Sequence, residues 1–330
     1  MEKKYDIVAL GELLIDFTEA GRSADGMKLF EQNPGGAPAN LLTVAANMGY
    51  RTAFIGKVGK DMHGAFLKKT LQSVGIDTGA VVEDEDYFTT LAFVEIGEKG
   101  ERNFSFSRKP GADTRLCTEE LDQEMLRSCR IFHFGSLSLT AEPSKSATLN
   151  AVSTARKAGA LISYDPNYRA SLWKNADDAV KCMKSVLPQV DMMKVSDEES
   201  FLLTGEKDYV QAAEVLLSMG IKLIAVTLGA DGVYVASHKQ HEKIAAFQAD
   251  TVDTTGAGDS FWGGFLSRFL ALQGSEKEVT VDQLSADQIR ECAVWGNAAA
   301  CLCVQKRGGI PAVPKKEELI RFMQNNFMSL

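Results

Sequence analysis

From about residue 130 onward, short runs of β-forming residues recur between stretches with helical spacing, and this alternation constrains the fold more than any single motif. Ile131-Phe132-His133-Phe134, Leu161-Ile162-Ser163-Tyr164, Met192-Met193-Lys194-Val195 and Leu223-Ile224-Ala225-Val226 are the clearest of these runs. Strands that alternate with helices need crossover connections, and crossovers build a mainly parallel sheet with helices on both faces. Ile7-Val8-Ala9-Leu10 and Ala53-Phe54-Ile55-Gly56 are expected to join that sheet. Two stretches, residues 13–19 and 81–107, break the pattern. In the second, Phe93-Val94-Glu95-Ile96 and Asn103-Phe104-Ser105-Phe106 flank Gly97-Glu98-Lys99-Gly100-Glu101, which predicts a hairpin. A small sheet inserted in this way often covers a site. With no repeat, low-complexity tract or linker in view, residues 1–330 are expected to form one domain, with 13–19 and 81–108 in the inserted sheet.

A chain of 330 residues can bury a large core, and 45% hydrophobic with 24% charged residues is an ordinary enzyme composition. The formal charge of −8 argues against a nucleic acid or an anionic membrane surface as partner, because those need a clustered basic face. Six cysteines lie mostly in apolar segments without a C-x-x-C, which predicts buried thiols in a reducing compartment. No apolar stretch reaches spanning length and no long apolar leader follows Met1, so a cytoplasmic protein is expected. His63, His133, His238 and His241 have no metal-ligand spacing, which leaves a histidine-based hydrolase without support.

The segment Val252-Asp253-Thr254-Thr255-Gly256-Ala257-Gly258-Asp259-Ser260-Phe261 carries the most chemistry. It places a glycine turn ahead of the helical run 261–270, with a carboxylate in the first turn. Unpaired N–H groups and the positive dipole end at Gly256, Ala257 and Gly258 favour an anion. Asp259 would then stand within reach of a group attacking that anion; alternatively it merely complements the helix dipole. A second glycine turn, Asn33-Pro34-Gly35-Gly36-Ala37-Pro38-Ala39-Asn40, either caps a helix or holds a polyol through backbone N–H groups and the Asn40 amide. Asp16 stands between large apolar residues near the end of the first strand and suits sugar hydroxyls, or else is a strand-end acid facing water. Tyr164-Asp165-Pro166-Asn167-Tyr168-Arg169 closes another strand, and the forked Arg169 guanidinium suits a transferring phosphoryl group or a surface ion pair. Neither G-x-x-x-x-G-K-[ST] nor G-x-G-x-x-G after a strand is present, which disfavours a P-loop or dinucleotide fold.

Together, Gly11-Glu12-Leu13-Leu14-Ile15-Asp16, Gly35-Gly36-Ala37-Pro38-Ala39-Asn40, Phe54-Ile55-Gly56-Lys57-Val58-Gly59 and Asp253-Thr254-Thr255-Gly256-Ala257-Gly258-Asp259 resemble the ribokinase-type (PfkB) sugar kinases, and within them the fructokinases, over essentially the whole chain. The resemblance implies a three-layer α/β/α ribokinase-like domain with a β-lid. It also implies ATP-dependent phosphorylation of a sugar primary hydroxyl, D-fructose first, and a homodimer formed through the lid. Ketodeoxygluconate kinase, ribokinase and a silent sugar sensor stand as alternatives.

Carried over by resemblance, Asp259 is the general base and the amides of Gly256, Ala257 and Gly258 form an anion hole, with Arg169 stabilising phosphate. Asp16, Gly35, Gly36 and Asn40 fall at sugar-binding positions, and Phe104, Phe106 and Arg108 would lie over the sugar. Thr227, Gly229 and Gly232 match the nucleotide-binding turn, and Asn297 a place beside the adenine. The family's N-x-x-E element reads here Ser196-Asp197-Glu198-Glu199, in which Glu199 keeps the acid, Ser196 replaces the amide and Lys194 stands just upstream. Mg2+ would then sit mainly on phosphate oxygens and water. Potassium is expected near Asp253, Thr255 and Gly308.

Overall fold

The computed structural model describes residues 3–96, 102–274 and 280–327. Its main element is a nine-stranded sheet in the order β13-β12-β11-β10-β9-β8-β1-β4-β5. The strands are β1 (Tyr5–Leu10), β4 (Thr52–Gly59), β5 (Val81–Asp84), β8 (Cys129–Gly135), β9 (Leu161–Asp165), β10 (Met192–Ser196), β11 (Leu223–Thr227), β12 (Val233–Ser237) and β13 (His241–Ile244). From β5 through β11 all neighbours run parallel, and β12 and β13 add an antiparallel edge. All six strand runs expected from the sequence lie in this sheet.

Alternation along the strands assigns the two faces. Ile7 and Ala9 point into one core with Phe54, Ile131 and Ala225, while Val8 and Leu10 point into the other with Phe132, Ile162 and Val226. The first core is closed by α1 (Ala37–Asn47), α2 (Met62–Ser73), α8 (Ala257–Gln273) and α9 (Ala286–Cys303); the second by α3 (Gln123–Arg127), α4 (Ser144–Lys157), α5 (Ala176–Val186), α6 (Asp197–Thr204) and α7 (Tyr209–Ser218). A last helix, α10 (Lys316–Phe327), packs Leu319 and Met323 against Val44, Ala298 and Ala299. Burying strands on both faces explains their continuous apolar sequences. The result is the three-layer α/β/α architecture expected.

A second sheet of four strands has the order β3-β2-β6-β7, from β2 (Leu14–Arg22), β3 (Lys28–Gly35), β6 (Leu91–Ile96) and β7 (Arg102–Ser107). The predicted hairpin is β6 with β7, paired antiparallel from Leu91↔Ser107 to Ile96↔Arg102; the turn expected at 97–101 lies outside the described residues. The boundaries expected for this sheet need two corrections. Val81–Asp84 belongs to the large sheet, because it pairs with β4 from Gly56↔Val81 to Gly59↔Asp84. Lys28–Gly35 belongs to the small one, paired with β2 from Leu14↔Gly35, although its run of polar residues masks strand periodicity. The glycine pair at 35–36 is therefore a strand end running directly into α1.

Candidate active site

The carboxyl ends of the central strands, the start of the small sheet and the N-terminus of α8 enclose a cavity of about 740 Å³, within the range of small-molecule sites. Glu12, Asp16, Gly36, Asn40, Phe106, Asn167, Arg169, Lys194, Glu199, Thr227, Gly229 and residues 254–259 all line it.

At its floor, α8 begins after Gly256, whose φ of 75° is a left-handed turn that suits glycine. Asp259 falls in the first helical turn and is only 8% exposed. Two amides steer its carboxylate: Asn40 Nδ2 donates to Oδ2 at 2.8 Å, and Asn167 Nδ2 donates to Oδ1 at 3.4 Å. Burial pushes the carboxyl up to about 6 and Asp165 adds to the rise, against the pull of Asn40, Lys194 and Arg169. A carboxylate poised near neutrality can accept a proton at working pH.

Above it, Asp16 extends from β2 into the cavity, its carboxyl raised to about 7 by lost solvation despite Arg169. Gly35 is required beside it, since a Cβ there would overlap Asp16 Oδ2. Gly36 has φ 123° and backs onto the Glu12 carbonyl, so any side chain would push the Glu12–Leu13 backbone away from the start of α1. Glu12, quoted in the sequence motif but given no role there, accepts from the Ala37 N–H at 2.9 Å and is lifted by burial to about 7. It fixes the entry to α1, and so the placement of Asn40, whose buried Oδ1 has no partner. That is an acceptor available to a bound hydroxyl.

On the other wall, Lys194 is buried and donates to Asp165 Oδ2 at 3.0 Å. Burial works against its charge, but Asp165, Glu199 and Asp259 outweigh it and hold the ammonium above its usual range. Glu199 uses both oxygens on backbone, accepting from Tyr168 N at 2.7 Å and Ser196 N at 2.8 Å. Ser196 Oγ in turn accepts from the Glu199 N–H at 3.1 Å, completing a capping box on α6. Serine in place of asparagine thus keeps the helix start intact.

Several expected residues stand away from the cavity wall. Arg108 is buried with its guanidinium committed to Asp113 Oδ2, Thr140 Oγ1 and the Leu137 carbonyl, and does not line the cavity. Gly232, φ 100°, backs onto Ile244 in the β11–β12 turn, and Asn297 donates to the Ala245 carbonyl at 2.9 Å; neither lines it. The backbone of Phe104 pairs with Val94, and its side chain lies outside the described set. Asp253 accepts from Thr255 N at 2.7 Å and Gly308 N at 3.1 Å, so these three residues do meet. No group of three or more His, Cys, Asp or Glu among the described residues could hold a metal ion.

The model for "pfkB family carbohydrate kinase" matches residues 4–316. This chain belongs to that family. It is a sugar kinase. It is 39% identical over 326 residues to "Probable fructokinase-2" of Arabidopsis thaliana, covering 98% of this chain and 97% of the relative. The fructokinase of Xylella fastidiosa solved with bound ATP superposes with a TM-score of 0.89 at 29% identity, over 99% of this chain and all of the other. The fructokinase of Vibrio cholerae O395, solved with fructose, ADP and calcium ion, gives 0.84 at 30%, over 96% and 99%. The ribokinase-like fold and the family named from the sequence are both borne out. Among the described residues no helix is long and apolar enough to cross a membrane.

Proposed function

We propose that this kinase transfers the γ-phosphoryl group of ATP to the 6-hydroxyl of D-fructose. The observation that carries this reading is the Asp259 carboxylate, raised to about 6 and steered by two amides at the mouth of a helix N-terminus. Asp259 takes the hydroxyl proton as the oxygen attacks phosphorus. The N–H groups of Gly256 and Gly258 meet the charge gathering on the transferred group, whereas the Ala257 N–H, expected to join them, donates to the Thr254 carbonyl at 3.2 Å; Arg169 lines the same cavity and adds its charge. Asp16, Asn40 and the Gly36 turn hold the sugar hydroxyls, with Phe106 above them. Thr227 and Gly229 border the nucleotide. Magnesium would be held mainly by phosphate oxygens and water, since no group of three or more His, Cys, Asp or Glu among the described residues could cage it. Potassium would be held beside Asp253, Thr255 and Gly308, which the structure brings together.

Fructose is favoured over other acceptors by the relatives, a probable fructokinase at 39% identity and a fructokinase fold solved with fructose. An ADP-release assay with magnesium and potassium should show fructose preferred over ketodeoxygluconate, ribose, glucose, adenosine and fructose 6-phosphate. Preference for another acceptor overturns the fructose assignment, and silence with all six overturns the kinase reading of the cavity. The small sheet also serves as lid and dimer contact. Exposed Met27, Leu29 and Phe30 sit on or beside β3 and suit burial against a second copy. Sedimentation should give a dimer that Phe30→Glu dissociates; a wild-type monomer refutes it.

A further inference from the structure

β9 ends in Asp165, a buried carboxylate for which the sequence reading gave no role. Its two oxygens reach in different directions. Oδ2 accepts from Lys194 Nζ at 3.0 Å, and Oδ1 accepts from the backbone N–H of Asn167 at 3.1 Å. Each partner leads to one half of the reacting centre. A Cβ on Gly258 would stand 2.8 Å from Lys194 Nζ, so the ammonium occupies the space beneath the α8 turn that glycine leaves open. Asn167, whose φ of 46° is the one positive value for a non-glycine among the described residues, donates its side-chain amide to Asp259 Oδ1.

We propose that Asp165 is a positioning residue for phosphoryl transfer: through Lys194 it fixes a buried positive charge under the Gly256–Gly258 turn, and through Asn167 it orients the carboxylate of Asp259. The proposal rests on the reading of Asp259 as the base. A buried ion pair contributes little net stability, because desolvation offsets most of its Coulomb energy, so its placement between base and anion turn calls for another explanation. Strained backbone held by surrounding hydrogen bonds is likewise concentrated at functional sites.

The electrostatics give the test its sign. Asp259 is faced by Asn40 from α1, Asp16 from β2, Asp165 from β9, Asn167 and Arg169 from the following loop, Lys194 from β10 and the Cys303 thiol from α9. Among these, the Asp165 charge holds the Asp259 proton on and the Lys194 charge drives it off. Removing the Asp165 charge therefore moves the acid limb of kcat/KM to lower pH, and removing the Lys194 charge moves it to higher pH.

The full chain would be assayed for ADP release with fructose and ATP across pH 5–8 as wild type, Asp165→Asn, Lys194→Met and Asp259→Asn. For Asp165→Asn the expected result is a fall in kcat of about 100-fold, the scale of a misplaced reacting group, with KM for fructose unchanged. The limbs of Asp165→Asn and Lys194→Met should be displaced in opposite directions. A group that only supports the fold would lower activity without that opposition, so coincident limbs overturn the proposal. If Asp165→Asn gives no cooperative melt, Lys194→Met carries the test alone, and an unmoved limb there overturns it. Turnover surviving in Asp259→Asn would instead overturn the reading of the base; an inactive Asp259→Asn beside unshifted Asp165 and Lys194 variants removes only the positioning role.

Discussion

Replacing Asp259 with asparagine should make this protein more stable and almost inactive. The shape is conserved, and so is the hydrogen bonding: Asn40 now donates to Asp259 Oδ2, but its own buried Oδ1 lacks a partner. Rotation of the Asn40 amide would let that oxygen accept from the new side-chain NH2. What disappears is a buried negative charge, whose carboxyl is displaced from its ordinary 3.8 to about 6. At about 1.36 kcal/mol per pKa step, that displacement costs the folded protein ~3 kcal/mol at neutral pH. The sign follows from proton binding. Between pH 3.8 and 6 the folded state holds the proton more tightly than the unfolded chain, so stability falls as pH rises through that window, and the full cost applies above it. Thermal melts of wild type and Asp259→Asn should therefore diverge by a few degrees at pH 7.5, with the variant higher, and converge near pH 4. In the ADP-release assay the same variant should lose about 10²–10⁴ in kcat, the usual contribution of a general base. Turnover within about tenfold of wild type would refute the assignment. A lower melting temperature at pH 7.5 would refute the account of the buried charge.

Arg108→Ala should destabilise the fold by ~3–5 kcal/mol, because it strands the Asp113 carboxylate in the core. In the fraction that folds, KM for the sugar should hold, and a selective rise in KM would return Arg108 to the binding surface. Gly258→Ala should depress kcat far more than KM for fructose, since its methyl meets Lys194 Nζ at 2.8 Å; wild-type kcat would show that the ammonium has room to move. Limited proteolysis within residues 91–107 should slow when fructose is added, as a closing lid excludes water and protease alike, and equal cleavage rates would count against closure.

What could be read from the sequence divides along physical lines. The central strands are buried on both faces, so their apolar runs mark them without any partner being known. β3 is exposed along most of its length, and Lys28–Gly35 carries little periodicity; only its pairing with β2 makes it a strand. The site shows the same contrast. Gly256, Gly258 and Asp259 are local to one helix start, and local rules place them. Asp16, Asn40 and Arg169 reach the same cavity from other elements, and only the family resemblance joined them in advance. Arg108 and Asn297 show the limit of that carry-over, because Asp113 and the Ala245 carbonyl engage them away from the cavity wall. Glu12 and Asp165 left a trace, each an acid next to an apolar strand, two residues past β1 and at the last position of β9. Their roles depend on partners 25 and 29 residues away, Ala37 and Lys194, which no local pattern connects.

The central claim is that this cavity moves a phosphoryl group from ATP to the 6-hydroxyl of fructose. Phosphorus and carbon NMR of a completed reaction with magnesium, ATP and fructose tests it most directly. The account predicts fructose 6-phosphate and ADP in equal amounts. Fructose 1-phosphate, or ADP and free phosphate with fructose unchanged, would contradict it.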